Sequence, residues 1–343
     1  MVIQSPGFQE VYCILLFQVT ETVTMPASDL TLTVASKAMV ADTVVLFELV
    51  RPDGGRLPAF TAGAHVRVQI PGGLERCYSL CNDPAEATCY RIAVHLDPQS
   101  RGGSLSMHTR VQAGEELVVS VPANHFALDE SAPHTLLVAG GIGITPLLAM
   151  AWRLHATGAS WSLHYAARNA ARCAFLAALQ DAPFADKVHL HLDDCGLGGP
   201  LDIPALLAGA ATGAHLYVCG PSGLIDHVLA ASRDAGWADA RLHHERFAAS
   251  PLQSTGNRAF RLVLSRSGMT LEVPADRSVA DVVREAGVDL PVSCEQGMCG
   301  TCITNVLAGE VDHRDEILSD ADRARCFTPC CSRALSDSLT IDL

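Results

Sequence analysis

The chain has 343 residues, of which 49% are hydrophobic and only 5% aromatic, with 13 cysteines and a formal charge of −13. That length suits two or three domains, because single cores rarely grow past roughly 250 residues, and the apolar fraction excludes disorder. Net acidity argues against nucleic acid as a partner, since phosphate binding needs a basic face. An odd cysteine count in so long a chain does not read as a small disulfide scaffold. Most of the thiols read as buried residues of a reducing compartment.

Residues 1–27 match no element of the domains downstream and read as an N-terminal extension. The apolar run at 11–19 is too short to span a bilayer. No Lys or Arg precedes Lys37, so a secretory leader is not expected; the expected place is the cytoplasm, with no membrane contact. From 30 onwards come short segments rich in Val, Leu and Thr, at 30–35, 43–50, 65–70, 90–96 and 117–121, split by turns such as Pro71-Gly72-Gly73. They predict an antiparallel barrel or sandwich, assigned to residues 28–130. Near Pro133 the rhythm changes. Strands at 135–139 and 161–166 alternate with helices at 146–155 and 170–179. Segments at 188–192, 203–208, 215–219, 222–235 and 241–247 continue the alternation. This predicts a parallel, doubly wound sheet over 131–247. Residues 248–258 are small and polar and read as a linker to a last domain, 259–343. That domain opens with a hairpin at 260–265 and 270–273, then a helix at 278–286 capped by Ser278, and it closes with a strand at 339–342.

The strongest chemical signal is Cys294-Glu295-Gln296-Gly297-Met298-Cys299-Gly300-Thr301-Cys302, with Cys330 and Cys331 further on. C-x4-C-x2-C…C is the plant-type spacing for a [2Fe–2S] cluster: three thiolates come from one tight loop and a fourth from a distant segment. Gly297 and Gly300 let the backbone approach the sulfurs. A zinc ribbon would need two C-x2-C pairs, and one is present. Upstream, Arg76-Cys77-Tyr78-Ser79 offers a fixed charge, an aromatic face and a hydroxyl. The turn Arg101-Gly102-Gly103-Ser104 is able to cradle a phosphate with backbone N–H groups. Gly140-Gly141-Ile142-Gly143-Ile144-Thr145-Pro146 follows a buried strand and opens a helix, a place where pyrophosphate binds. Pro146 suits the first helical turn. Cys219-Gly220-Pro221 ends a later strand. No G-x-S-x-G or P-loop lysine motif occurs, so hydrolase and kinase readings have no support.

The segment Ser293–Cys302, followed by AGEVDHRDEILSD and by CCSRA, resembles the C-terminal ferredoxin domain of the phthalate dioxygenase reductase and vanillate O-demethylase reductase family. The resemblance runs over about residues 29–343. It implies a multi-domain chain: an antiparallel β-barrel flavin domain, an α/β doubly wound nucleotide domain, and an α+β, β-grasp-like, plant-type ferredoxin domain. It implies FMN, held between R-x-Y-S at Arg76, Tyr78 and Ser79 and R-G-G-S at Arg101 to Ser104. It implies iron ligation by Cys294, Cys299, Cys302 and Cys330. Cys331 stands where the family commonly has a small apolar residue, and Cys326 lies too early. Thr145 would lie near the flavin, and Cys219, with Gly220 and Pro221, where nicotinamide meets flavin. His243-His244-Glu245-Arg246-Phe247 matches the family's H-x-E-x-F, with His243 structural and Phe247 placed to lie against the flavin. Arg168 at the end of the second strand favours a 2′-phosphate, yet the family mostly uses NADH, which is the nucleotide expected.

The motif order implies the reaction. NADH delivers an electron pair, a cluster accepts one electron at a time, and flavin bridges the two. The expected function is an NADH-dependent reductase that passes electrons through FMN and [2Fe–2S] to a Rieske-type aromatic oxygenase. Two other readings are a self-contained flavin reductase or oxidase, which needs no one-electron exit, and a redox sensor without turnover. Residues 259–343 carry 14 acidic and 8 basic side chains, an imbalance able to steer the domain towards a basic oxygenase face.

Overall fold

The computed structural model describes residues 29–98, 102–194, 197–247, 257–292, 297, 300–315 and 317–343. The expected N-terminal extension, most of the linker, Arg101, Cys294 and Cys299 lie outside them.

The first sheet is built from β1 (Leu30–Ala41), β2 (Val44–Val50), β3 (His65–Ile70), β4 (Leu74–Ser79), β5 (Cys89–His95) and β6 (Glu116–Val119), with α1 (Gly103–Thr109) before β6. Its order is β4-β3-β6-β1-β2-β5, and every pairing is antiparallel. A bridge from Leu80 to Ile92 joins the two outer strands, so the sheet closes into a barrel. Alternate residues fill it, among them Leu32, Val34, Phe47, Leu49, Val66, Val68 and Ile92. The turn at Gly72 and Gly73 uses positive φ at both. β4 itself has no apolar alternation, because five of its six residues are half-buried; the sequence shows it only through its motif.

The second sheet alternates as expected: β7 (Thr135–Gly140), α2 (Ile144–Ala156), β8 (Trp161–Ala167), α3 (Leu176–Gln180), β9 (Val188–Leu192), α4 (Ile203–Ala208), β10 (His215–Cys219), α5 (Ser222–Asp234) and β11 (Leu242–Glu245). The order β11-β10-β7-β8-β9 is parallel throughout. Strand β7 is buried at every residue, as a central strand covered on both faces must be. One face packs on α2 through Leu137, Ala139, Leu147 and Tyr165. The other packs on α4 and α5 through Leu136, Val138, Ile203 and Ile225. The helix expected over 170–179 is broken. A 3-10 turn at 170–172 ends at an extended Cys173, Phe175 takes a left-handed φ of 63°, and α3 keeps five residues. Cys173, Ala174 and Phe175 are all buried in the α2-side core. Burial of these apolar groups outweighs the helix propensity of the alanine-rich segment and the cost of positive φ.

The third sheet is mixed. It comprises β12 (Phe260–Leu264), β13 (Met269–Val273), α6 (Val279–Glu285), β14 (Thr304–Ala308), β15 (Val311–Asp312), α7 (Asp320–Arg323), β16 (Cys326–Phe327), β17 (Arg333–Ala334) and β18 (Ser338–Ile341). The order is β13-β12-β18-β14-β16, with β15 and β17 paired separately. β12 and β18 run parallel, and α6 packs across through Val279 and Val283. The Ser278 hydroxyl accepts from the Asp281 N–H at 3.0 Å, which caps α6 as expected. Cys302, Cys330 and Cys331 belong to this same core. Among the described residues no helix is long and apolar enough to cross a membrane.

Candidate functional site

Two turns of the parallel sheet make one structure. A Cβ at Gly143 would lie 2.2 Å from the Cys219 carbonyl oxygen and 2.5 Å from the Gly220 N. Only glycine permits that approach, so the Gly140–Thr145 turn is pressed directly on Cys219-Gly220-Pro221. The Thr145 hydroxyl is buried and donates to the Ile142 carbonyl at 3.0 Å, which closes the first turn of α2. Beside these turns lies a cavity of about 700 Å³. Gly140, Gly141, Gly220 and Pro221 form its floor, and Arg168, Arg172 and Asp193 stand at one wall. Thr43 and His95 of the barrel stand at another. The Thr43 hydroxyl and His95 Nδ1 are 3.0 Å apart. Phe247 lines the cavity and is 40% exposed.

The barrel meets this sheet at Ser79. Its hydroxyl donates to Glu245 Oε2 at 3.3 Å. Glu245 ends β11, in register with Cys219 at the end of β10. Burial pushes the Glu245 carboxyl from its ordinary 4.5 up to about 8. Burial also raises the Cys219 thiol well above its ordinary value, and the neighbouring Glu245 carboxylate adds to this. The Tyr78 phenol is raised as well, again by burial. Ser79 thus belongs to a dry junction between the two sheets, while the half-buried Tyr78 packs against the barrel core. Arg76 reaches the other way. A Cβ at Gly103 would lie 3.0 Å from Arg76 Nε, so the R-x-Y-S strand and the start of α1 touch. Gly102 takes φ 101° at this helix start. Ser104 Oγ accepts from the Asp97 N–H at 3.2 Å, which folds the connecting loop back on itself.

In the third sheet three sulfurs are buried together. Cys302, Cys330 and Cys331 are each 5% exposed or less. The Cys330 thiol is raised, first by its hydrogen bond to Cys302 and then by that to Cys331. Cys331 is also 3.1 Å from the Thr328 hydroxyl. A Cβ at Gly297 would lie 2.5 Å from Cys331 Sγ and 2.9 Å from the Asp315 Cα. The chain therefore needs glycine at this position, against the Cys331 sulfur. Cys326 stands apart, its thiol donating to Asn305 Oδ1 at 3.2 Å. A set of buried soft thiols packed in one core suits iron–sulfur chemistry.

Comparison with known proteins places these features. Residues 262–335 match the 2Fe-2S iron-sulfur cluster binding domain family. Residues 120–242 match the N-terminal domain of dimethylamine monooxygenase subunit DmmA-like proteins. The chain is 49% identical over 312 residues to the vanillate O-demethylase oxidoreductase of a Pseudomonas species, covering 90% of this chain and 98% of that one. It is 41% identical over 323 residues to the phthalate dioxygenase reductase of Burkholderia cepacia, covering 93% and 100%. The chain belongs to this reductase family. A solved phthalate dioxygenase reductase, described as modular for electron transfer from pyridine nucleotides to [2Fe–2S], superposes with a TM-score of 0.71 at 40% identity. It covers 92% of this chain and 98% of that one. The family's barrel, nucleotide-binding sheet and C-terminal [2Fe–2S] domain correspond to the three sheets here, and the chain is an oxidoreductase.

Several residues at this junction carry no signal of their own in the sequence. Glu245 is only one letter of H-x-E-x-F; its position follows once β10 and β11 are known to run in parallel register. Thr43, His95 and Arg172 come to the cavity from segments without a motif.

Proposed function

We propose that the chain is the NADH-dependent reductase component of a two-component Rieske-type aromatic oxygenase, vanillate O-demethylase-like, acting in the cytoplasm. In this reading residues 28–130 bind FMN, 131–247 bind NADH, and 259–343 carry the [2Fe–2S] cluster across a linker at 248–258. The observation that carries it is the Ser79–Glu245 contact, with Cys219 in register beside it. That contact sets the flavin-signature strand against the end of the nucleotide cavity.

When bound, FMN takes an electron pair from NADH and supplies single electrons to the cluster. Arg76, Arg101 and the Gly102-Gly103-Ser104 turn would hold the phosphate, while Tyr78 and Ser79 would orient the ring. Gly140, Gly141, Gly143 and Pro146 would seat the pyrophosphate, and Arg168 the adenosine end. Cys219, Gly220, Pro221, Thr145 and Phe247 would shape the place where nicotinamide meets flavin. Glu245 keeps a proton on its carboxyl up to about pH 8, within reach of the Ser79 hydroxyl. Burial of that carboxyl excludes water from the junction. Cys294, Cys299, Cys302 and Cys330 would ligate the irons, Cys330 by its family position two residues before Ser332-Arg333-Ala334.

NADH-driven cytochrome c reduction tests the whole reading. It should vanish in Cys299→Ser while NADH still bleaches the flavin. Loss of both, or of neither, would overturn the proposal. A large rate advantage with NADPH would overturn the choice of nucleotide. Copurification with an oxygenase, and NADH consumption across methoxylated and carboxylated aromatics, tests the partner.

A further inference from the structure

The parallel sheet carries an arrangement of histidines that electron transfer does not use. β9 is an edge strand and reads His189-Leu190-His191 within it. Alternation puts both imidazoles on one face of the sheet. The neighbouring strand β8 adds His164, in register with His189. Leu163, Tyr165 and Leu192 point to the opposite face and fill the core there. The three rings meet. His164 Nδ1 lies 3.1 Å from His191 Nε2. The His164 ring stacks on His189 at 4.6 Å between centroids and on His191 at 5.3 Å. His191 Nδ1, on the far side of that ring, is buried and finds no hydrogen-bond partner among the described residues. A buried unpaired polar atom calls for an explanation.

We propose that His164, His189 and His191 form a binding site for a divalent transition-metal ion of the Zn²⁺, Ni²⁺ and Cu²⁺ class. Neutral imidazole is the commonest protein ligand for such ions, and an all-nitrogen set disfavours Mg²⁺ and Ca²⁺. Two nitrogens bound at ~2.0–2.1 Å to a tetrahedral ion sit about 3.3 Å apart. The spacing between His164 and His191 is 3.1 Å, a hydrogen bond close to that ligand separation; a metal would replace the shared proton, the donating ring taking its other tautomer. The strand pattern supplies the third ligand, since His-x-His on one strand and a histidine across the ladder share a face. Among the described residues no three groups already converge on one point. Binding therefore turns the exposed His189 out of its stack to complete a three-histidine set, with water in the fourth position.

Zn²⁺ titration calorimetry on the full chain, loaded with flavin and cluster so that the cluster thiolates are engaged, tests this. The titration is run without NADH, because Ala166, in register with His191, lines the nucleotide cavity. The wild-type chain should bind one Zn²⁺ tightly. His189→Asn should weaken binding by more than the loss of an outer-shell partner does, which is about 10–100-fold. The double variant His164→Gln with His191→Gln should abolish it. Unchanged NADH-driven cytochrome c reduction in His189→Asn shows that this variant is folded. A second histidine pair, His215 and His243, has the same 3.1 Å spacing, with the Asp129 carboxylate 3.7 Å from His215, and is the competing site that the test must exclude. His243→Gln should leave binding unaltered. No stoichiometric Zn²⁺ binding, unchanged affinity in His189→Asn, or loss of binding in His243→Gln would each overturn the site.

Discussion

Two of the glycines that stand where any side chain would collide, Gly143 and Gly297, serve opposite ends. At Gly143 the neighbour is backbone, the Cys219 carbonyl at 2.2 Å. At Gly297 the neighbour is a donor atom, Cys331 Sγ at 2.5 Å. The first contact joins two turns of one sheet, so its loss is a packing fault with a graded cost. The second presses Gly297 on a thiol packed in one core with the proposed iron ligands Cys302 and Cys330, so its loss would disturb the proposed cluster site. Metal binding is coupled to folding and to thiol deprotonation, which makes such a loss close to all-or-none.

The sharpest way to break this contrast is at the sulfurs. Cys302→Ser should abolish the visible absorbance of the cluster and cytochrome c reduction while leaving NADH oxidation by the flavin. Iron analysis and stopped-flow spectra report both, and a variant retaining full iron would contradict the assignment. Gly143→Ala comes next. Forcing a methyl group against the Cys219 backbone should destabilise the chain by about 1–3 kcal/mol and raise the KM for NADH, without loss of iron. Thermal melting and steady-state kinetics check it; an unchanged melting temperature would mean that the two turns are not pressed together.

A third change addresses the junction itself. The Glu245 carboxyl sits at about 8 in the folded chain against an ordinary 4.5. The folded state therefore holds this proton more tightly than the unfolded state does. The stability it provides is full below about 4.5 and is lost as pH rises to about 8. Glu245→Gln should flatten the fall in urea midpoint across that window. Equal slopes in the two proteins would show that the carboxyl is solvated. The smallest effect is expected from Phe247→Ala, which should alter flavin absorbance or hydride transfer by a few-fold at most, with stability unchanged. Identical spectra and rates would remove Phe247 from the site.

Legibility in the sequence divides along the same line. The proposed cluster ligands Cys294, Cys299 and Cys302 are legible because all three lie within nine residues, where spacing alone encodes geometry. The Gly140–Pro146 turn is legible because a strand, a glycine turn and a helix start come in order. The barrel and the alternating sheet are legible through periodicity, although β4 is hidden by its half-buried polar residues and the helix at 170–179 yields to burial of Phe175. Glu245 is not legible: its partner Ser79 is 166 residues away. No local pattern records a contact made by two sheets meeting. Its significance comes from the dry surroundings that raise its carboxyl, which only tertiary packing creates.

The backbone contact between the two nucleotide turns has a mechanical consequence. With Gly143 seated on Cys219 and Gly220, the proposed anchor for pyrophosphate and the strand end nearest the Ser79 junction are held together by main-chain contact. The grip is made of main chain, so surface substitutions cannot retune it. Under the proposed function, tuning of nucleotide preference falls to the far wall, where Arg168, Arg172 and Asp193 line the cavity. Adenosine selectivity is adjustable there without disturbing the alignment of the reacting ring.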